Sequence, residues 1–186
     1  MHLDSLPIKE RIETVAFVWP NARETPRVLR VSGYRAEKVA NREVFETVQE
    51  SIGWHVTDDQ WRLVSGEVVA NSMVAIYQAE LPVAIACGLS RPSGWTELAW
   101  VAVSPKQRRL GLGKMVCGAV VASLLEGAKS KIYGSTQDER LSAIKIYLDI
   151  GFHPLYREEK VERWKLICQK LRIPFSPLSW GWPADT

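Results

Sequence analysis

One segment constrains the fold more than any other. Between residues 97 and 125 an apolar run is followed by a basic, glycine-bearing loop and then by a second apolar run. Residues 98–103 are typical of a buried strand, which Ser104-Pro105 ends, and a helix is predicted from about Gly113 to Gly127. The first N–H groups of a helix lack partners within it and favour an anion. The segment therefore predicts a strand, an anion-binding loop and a helix.

The loop combines positive charge with an accessible backbone. Gly111 and Gly113 carry no side chain, so a ligand can approach the main chain closely. Arg108, Arg109 and Lys114 add positive charge, which suits a pyrophosphate group. We expect the following residues to bind such a ligand: Gln107, Arg108, Arg109, Leu110, Gly111, Leu112, Gly113 and Lys114.

Two common phosphate-binding motifs do not match the loop. Arg108 stands where a Walker loop needs glycine, and Met115 stands where that loop needs serine or threonine. A dinucleotide fingerprint needs a small residue at Val116. A glycine pair alone is weak evidence, because an ordinary turn with solvated basic residues has the same composition.

The remaining pattern alternates strands and helices. Strands are predicted at residues 27–34, 73–78, 83–90, 96–103, 131–136 and 152–156, and helices at 36–52, from 57 or 58 to 63, 113–127, 142–150 and 158–171. Residues 1–26 are predicted to be a loosely organised lead-in, and the chain after Pro174 to be irregular. This order predicts an α/β fold with an α+β mixed sheet. The predicted organisation is an N-terminal extension (1–26), one domain (27–173) and a C-terminal tail (174–186).

Composition limits the classes of partner. The chain has 186 residues, 46% hydrophobic and 24% charged, which suits one globular domain. A net charge of +3, with no aromatic residues interleaved among the basic ones of the loop, does not favour nucleic acid. Three separated cysteines and three isolated histidines predict no metal site and no disulfide. No segment resembles a signal peptide or approaches the ~20 apolar residues of a membrane span, so we expect a cytoplasmic protein without a membrane partner.

Two motifs together resemble a known family. Arg108, two further residues and Gly111-Leu112-Gly113 resemble the (Q/R)-x-x-G-x-(G/A) coenzyme A loop of the GNAT superfamily of N-acetyltransferases. About thirty residues later, the block from Ala143 to Phe152 resembles the family's A-x-x-x-Y-x-x-x-G-F stretch. The match extends over roughly residues 70–156. It departs from the pattern at Arg140, where many members have an asparagine that contacts the cofactor, and Arg140 reaching a phosphate is the alternative.

The resemblance implies a fold and an activity. The fold is that of acyl-CoA N-acyltransferases, a central, mostly antiparallel sheet that is splayed at the cofactor site and flanked by helices. The activity is metal-free acetyl transfer from acetyl-CoA to the amine of a small molecule or protein by direct attack; a catalytically silent coenzyme A-binding module is the alternative. Besides the loop, the resemblance implies cofactor contacts at Val101, Ala102, Val103, Arg140 and Ala143. Whether the protein is a monomer or a homodimer stays open.

The resemblance also suggests two catalytic residues. Tyr147 lies four residues before Gly151, where the family's acid tyrosine lies, and the alternative is a core aromatic on an amphipathic helix. Glu97 stands at the same distance from the loop as the base of the histone-acetyltransferase branch, and the alternative is a solvated glutamate at a strand end. A period of two would place Glu97 on the same strand face as Ala99, Val101 and Val103.

Tryptophan is frequent, at eight residues. Trp54, Trp61, Trp95 and Trp100 lie in the regions where the family forms its acceptor site. They are interpreted either as the lining of an acceptor pocket or as core packing.

Overall fold

The computed structural model describes residues 14–20 and 25–182. Within this part of the chain, seven strands form one sheet and five α-helices flank it. The strands are β1 (Thr14–Val18), β2 (Tyr34–Lys38), β3 (Val74–Gln78), β4 (Leu81–Ser90), β5 (Thr96–Val103), β6 (Ile132–Gln137) and β7 (His153–Pro154). The helices are α1 (Arg42–Ser51), α2 (Asp58–Glu67), α3 (Leu112–Glu126), α4 (Leu141–Ile150) and α5 (Val161–Leu171). The predicted α/β class is confirmed.

The sheet is antiparallel except at one junction. Its strand order is β2-β3-β4-β5-β6-β1-β7, and only the β5–β6 pair is parallel. That pair comprises two registers, Thr96 with Ile132 and Glu97 with Tyr133. Past Glu97 the two strands separate. The predicted splayed, mostly antiparallel sheet is therefore confirmed.

Apolar residues cover both faces of the sheet. In β4, Ala84 and Ala86 join the core beneath α3, α4 and α5, whereas Ile85 and Cys87 join the core beneath α1 and α2. This alternation is that of a strand buried on both sides. We call these two sides the α3–α4 face and the α1–α2 face.

The prediction of a loosely organised lead-in is wrong at Thr14–Val18. This segment is β1, which lies between β6 and β7 and is antiparallel to both. Val15 and Phe17 alternate with less buried neighbours and enter the core. The five-residue pattern was too short to distinguish from a loop, because its partners lie more than a hundred residues away. Residues 1–13 and 21–24 of the predicted extension lie outside the described residues.

The predicted strand at residues 27–34 is also wrong. Its apolar residues pack on α3: Val28 lies beside Gly118, and Leu29 and Val31 lie beside Gly111. The strand begins only at Tyr34, whose N–H closes a turn by bonding the carbonyl of Val31. The helix predicted from residue 36 begins at Arg42. There the Asn41 side chain accepts bonds from the N–H groups of Glu43 and Val44.

The C-terminal region is more ordered than predicted. The strand expected at 152–156 is only His153–Pro154, and the last helix is a 3-10 turn at Glu158–Lys160 followed by α5. The tail contains a second 3-10 turn, Pro177–Trp180, where irregular structure was predicted. Trp182 is buried in the main core, and its indole N–H donates to the carbonyl of Pro154 at 2.9 Å. Residues 183–186 lie outside the described part.

Because Trp182 fills core space and satisfies a buried carbonyl, Trp182→Ala should lower the free energy of unfolding by about 3–5 kcal/mol. Leu178→Ala is the matched control, since Leu178 lies in the same tail and is 68% exposed. It should change stability by less than about 0.5 kcal/mol. Denaturant unfolding checks both variants, and equal effects would show that the tail does not belong to the core.

Candidate active site

The separation of β5 from β6 opens a fork in the sheet. Antiparallel pairing with β4 continues along β5 to Val103, whereas pairing with β6 stops at Glu97. One backbone edge of β5, residues 98–103, therefore has no strand partner within the described part of the chain. An open strand edge presents N–H and C=O groups that an extended ligand can bond. Val101, Ala102 and Val103, the predicted cofactor contacts, lie on this edge.

A bulge changes the direction of the side chains beside the fork. Cys87 pairs with Ala99 and Ile85 pairs with Ala102, so Trp100 and Val101 together oppose the single residue Ala86. Trp100 adopts φ 54°, which a bulky residue rarely does.

The bulge overturns the predicted sharing of one face by Glu97, Ala99, Val101 and Val103. Val101 and Val103 pack on the α3–α4 face, whereas Ala99 and Trp100 pack on the α1–α2 face. The reason is the extra residue, which shifts the strict alternation by one position.

The start of α3 lies directly after this strand. Gly111 is the N-cap with φ 85° and supplies no side-chain cap, and the first bond of the helix runs from the N–H of Met115 to the carbonyl of Gly111. The N–H groups of Leu112, Gly113 and Lys114 therefore have no helical partner. By contrast, side chains of Asn41 and Thr57 cap α1 and α2. This N-terminus is available to an anion.

The charges of the loop are distributed unevenly. Arg108 and Arg109 are exposed, and Arg109 has φ 65°. Lys114 forms an ion pair with Asp149, which Lys145 also contacts at 3.1 Å. Burial alone would raise the pKa of Asp149, but the hydrogen bonds from the two lysines lower it. Among the described residues, the two arginines thus carry the loop's positive charge that no ion pair neutralises, and Nε of Arg108 donates to the carbonyl of Val103 at 3.4 Å.

Gln107 fastens the loop to the sheet. Its amide oxygen accepts from the Tyr34 hydroxyl at 2.5 Å, and its amide nitrogen donates to Gln78 at 2.8 Å. The side chain is directed towards β2 and β3, and the main-chain N–H donates to the carbonyl of Ser104 at 2.9 Å, so both donor groups of Gln107 hold the loop in place. Leu110 is 47% exposed at the tip of the loop.

A second helix also begins at the fork. Arg140 is the exposed N-cap of α4, which has no side-chain cap, and Ala143 is partly buried in its first turn. The positive charge of Arg140 acts on Tyr147, which lies about two turns further along α4. Arg140 and Ala143 are therefore near the same opening as the β5 edge.

Tyr147 lies beside the fork, on its β6 side. Its ring contacts Phe17 and Phe152, with centroids 4.9 and 5.6 Å away, and lies against Gly134 of β6. Burial raises the pKa of Tyr147 well above its usual value, and the charge of Glu97 adds to this increase. The phenol consequently stays protonated at neutral pH and is a hydrogen-bond donor.

Glu97 occurs in an ion-paired cluster. Arg91 donates from Nε to the Oε2 of Glu97 at 2.8 Å, contacts the same oxygen through a second nitrogen and also pairs with Glu67 of α2. Tyr133 is buried beside them, and burial followed by the negative charge of Glu97 raises its pKa to about 12. Glu97 is only 20% exposed, so it is not the freely solvated strand-end residue considered as its alternative.

The four tryptophans of interest separate into two groups. Trp95 is buried and packs edge-on against Tyr133 at 6.2 Å, which is core packing. Trp61 and Trp100 instead pack against Phe45 on the α1–α2 face, and Trp54 packs on the ring of Trp100.

Sequence reasoning missed Arg91 and Gln49. Arg91 and Glu97 flank the Pro92-Ser93-Gly94 break, so a β4–β5 hairpin would have brought these opposite charges together. The buried amide of Gln49 donates to the carbonyl of Trp100 at 3.0 Å and holds the bulge. No local pattern signals that contact, since 51 positions separate the two residues.

Within the described ranges, no group of three or more histidine, cysteine or acidic residues is placed to hold a metal ion. No helix of the described part is both long and apolar enough to cross a membrane. All three cysteines are buried and unpaired.

Solved structures resemble this fold. A GCN5-related N-acetyltransferase from Sphaerobacter thermophilus matches with a TM-score of 0.64 and 16% identity over 76% of this chain and 48% of its own. A GCN5-related N-acetyltransferase from Kribbella flavida matches with a TM-score of 0.57 and 23% identity over 76% of this chain and 53% of its own. Arabidopsis thaliana Naa50, in complex with the bisubstrate analogue CoA-Ac-MVNAL, matches with a TM-score of 0.51 and 16% identity. The match covers 64% of this chain and 82% of the Naa50 chain. The chain thus spans about half the length of the first two proteins. These identities establish likeness of fold alone.

The sequence matches no functionally curated protein. Residues 36–152, more than half of the chain, match the model of the acetyltransferase (GNAT) family. This match includes the fork, the loop and both sequence motifs. The chain therefore belongs to the GNAT acetyltransferase family.

Proposed function

We propose that this protein transfers the acetyl group of acetyl-CoA to the amine of an acceptor. The observation that carries the proposal is the conjunction, at one fork, of an open β5 edge, an uncapped α3 N-terminus and a protonated tyrosine. Family membership supports acetyl-CoA as the donor, and Naa50 binds a coenzyme A conjugate in a similar fold.

Each part of the coenzyme has a complementary feature. The amides of its extended arm suit the open edge of β5 at Val101 and Val103, where backbone groups lack a strand partner. The pyrophosphate suits the free N–H groups at Leu112–Lys114, with Arg108 and Arg109 beside them. Arg140, in place of the family's asparagine, is a further cation at the fork. No metal is needed for this binding.

The chemistry requires two proton movements. The amine nitrogen forms a bond to the thioester carbon as the carbon–sulfur bond breaks, and the coenzyme leaves as a thiolate. An alkylamine has a pKa near ~10.4, so a base or a water path must take its proton. Tyr147 remains a weaker acid than a thiol of pKa ~8.5, so it stabilises the thiolate by donating a hydrogen bond while solvent supplies the final proton.

Gly111→Ala should weaken coenzyme A binding. The residue has φ 85°, which strains any residue with a Cβ, and a Cβ there would lie 2.6 Å from Cδ2 of Leu29, so either that side chain or the loop must shift. The left-handed conformation should also cost about 1–2 kcal/mol of stability. Calorimetric titration with coenzyme A and denaturant unfolding measure the two effects. Gly66→Ala is the control, because nothing lies within 4 Å of its Cβ position in α2. Undiminished affinity in Gly111→Ala would contradict the assignment of the loop.

Tyr147→Phe tests both the acetyltransferase activity and the hydrogen bond from Tyr147 to the leaving thiolate. With thiol release measured across a panel of amines, the wild type should turn over acetyl-CoA in the presence of an acceptor. The variant should lose about 100-fold in kcat while its affinity for coenzyme A stays the same, because only a hydrogen bond to the leaving thiolate is removed. An unchanged kcat would exclude the role, and absence of turnover with every amine would favour a silent coenzyme A-binding module.

Glu97→Gln tests the base. If the carboxylate takes the amine's proton, the rate falls at low pH as Glu97 becomes protonated, and the amide variant loses this acidic limb of the kcat/KM profile. A limb that persists unchanged in Glu97→Gln would assign the proton to a water path.

A further inference from the structure

Four aromatic side chains form a continuous cluster beside the fork. We call Phe45, Trp54, Trp61 and Trp100 the aromatic wall. Phe45 is fully buried, and its ring centroid lies 5.4 Å from that of Trp100 and 5.6 Å from that of Trp61. Trp54 extends the wall outwards, 6.1 Å from Trp100, with 49% of its surface exposed. The outer end of the wall therefore presents a large ring to an incoming molecule.

The wall begins at the bulge of β5. Trp100 is held at positive φ while Gln49, which is 3% exposed, donates to its carbonyl. The bulge directs the indole of Trp100 to the α1–α2 face and Val101 to the α3–α4 face. The wall thus adjoins the strand segment assigned to the coenzyme arm, but on the opposite side of the sheet.

The same face is acidic, although the chain as a whole has a net charge of +3. The two helices α1 and α2 carry six carboxylates and two arginines: Glu43, Glu46, Glu50, Asp58, Asp59 and Glu67 against Arg42 and Arg62. Arg91 lies between Glu67 and Glu97, so this trio retains one net negative charge. A cationic molecule is attracted to this face, whereas phosphates favour the basic loop.

We propose that the acceptor is an arylalkyl amine, a molecule with an aromatic ring joined to a primary amine by a short chain. Its ring packs against the aromatic wall, with Trp54 as the specificity-determining contact, and its ammonium group is drawn by the acidic face. A small polar amine gains the electrostatic attraction alone. This inference rests on the proposed function, since it names the substrate of the same site.

The experiment compares acceptors by thiol release from acetyl-CoA. Phenethylamine and tryptamine are measured against ethanolamine, spermidine and a short peptide with a free N-terminus. We expect kcat/KM for the two arylalkyl amines to exceed that for the others by about tenfold or more. Trp54→Ala should remove this advantage by raising the KM of the arylalkyl amine. The KM of acetyl-CoA and the rate with ethanolamine should stay within about twofold.

Two variants isolate the ring contact. Leu166→Ala removes a side chain of similar exposure (56%) from α5, which packs on the opposite face, and should leave the preference intact. Trp54→Phe should restore most of it. Turnover of polar or peptide amines without an arylalkyl preference would overturn the inference and leave the acetyltransferase activity standing. So would a preference that survives Trp54→Ala. Absence of transfer to every amine would overturn both.

Discussion

The brevity of the β5–β6 pairing is the constraint on which the rest of the site depends. Two pairs of facing residues hold the parallel strands together, and beyond Glu97 no strand of the described sheet pairs with this edge of β5. An unpaired strand in the middle of a sheet costs free energy unless something else bonds its backbone groups. In this molecule the core compensates on both sides, because β4, α3 and α1 fix β5 while leaving one edge open. The opening is therefore a product of rigid packing rather than of loop flexibility.

The bulge at Trp100 directs neighbouring side chains of β5 to opposite faces of the sheet. With strict alternation, the side chains of Glu97 and Val101 would lie on the same face of the sheet, as would every second side chain along β5. The inserted residue instead sends Val101 and Val103 towards Tyr147 and α3, and Trp100 towards α1 and α2. Charge follows the same division, with basic residues at the α3 loop and carboxylates on α1 and α2. Under the proposed function, one irregular residue thus allows a phosphate-bearing donor and a cationic acceptor to approach from opposite sides.

The sequence predicted those parts of the fold whose signal is local. From Val74 to Ile150 the predicted strands and helices lie within a few residues of the observed ones, since apolar runs there alternate with glycine and proline breaks. Thr14–Val18 escaped prediction because its identity as a strand depends on partners at residues 133–137 and 153–154. Residues 27–31 were misassigned because apolar residues that pack on a helix resemble those of a strand. Tyr147 could be placed by motif, and the Arg91–Glu97 ion pair could have been found from the break between β4 and β5. The bulge at Trp100 could not, because it arises from the register between two strands and from a contact 51 positions away.

The acidic face creates a conflict that the aromatic wall resolves. Negative charge near an amine stabilises the ammonium form, so it favours binding but opposes the loss of the proton that attack requires. Every added carboxylate would therefore strengthen binding of a species that cannot react. Contact between rings stabilises both protonation states of the acceptor alike, because it involves the apolar part of the molecule. In the proposed complex, binding energy from Trp54 thus holds the acceptor at the fork without favouring its protonated form. The ion pair with Arg91 partly neutralises Glu97. This carboxylate therefore lies close to the fork but stabilises a nearby ammonium less than an unpaired one would.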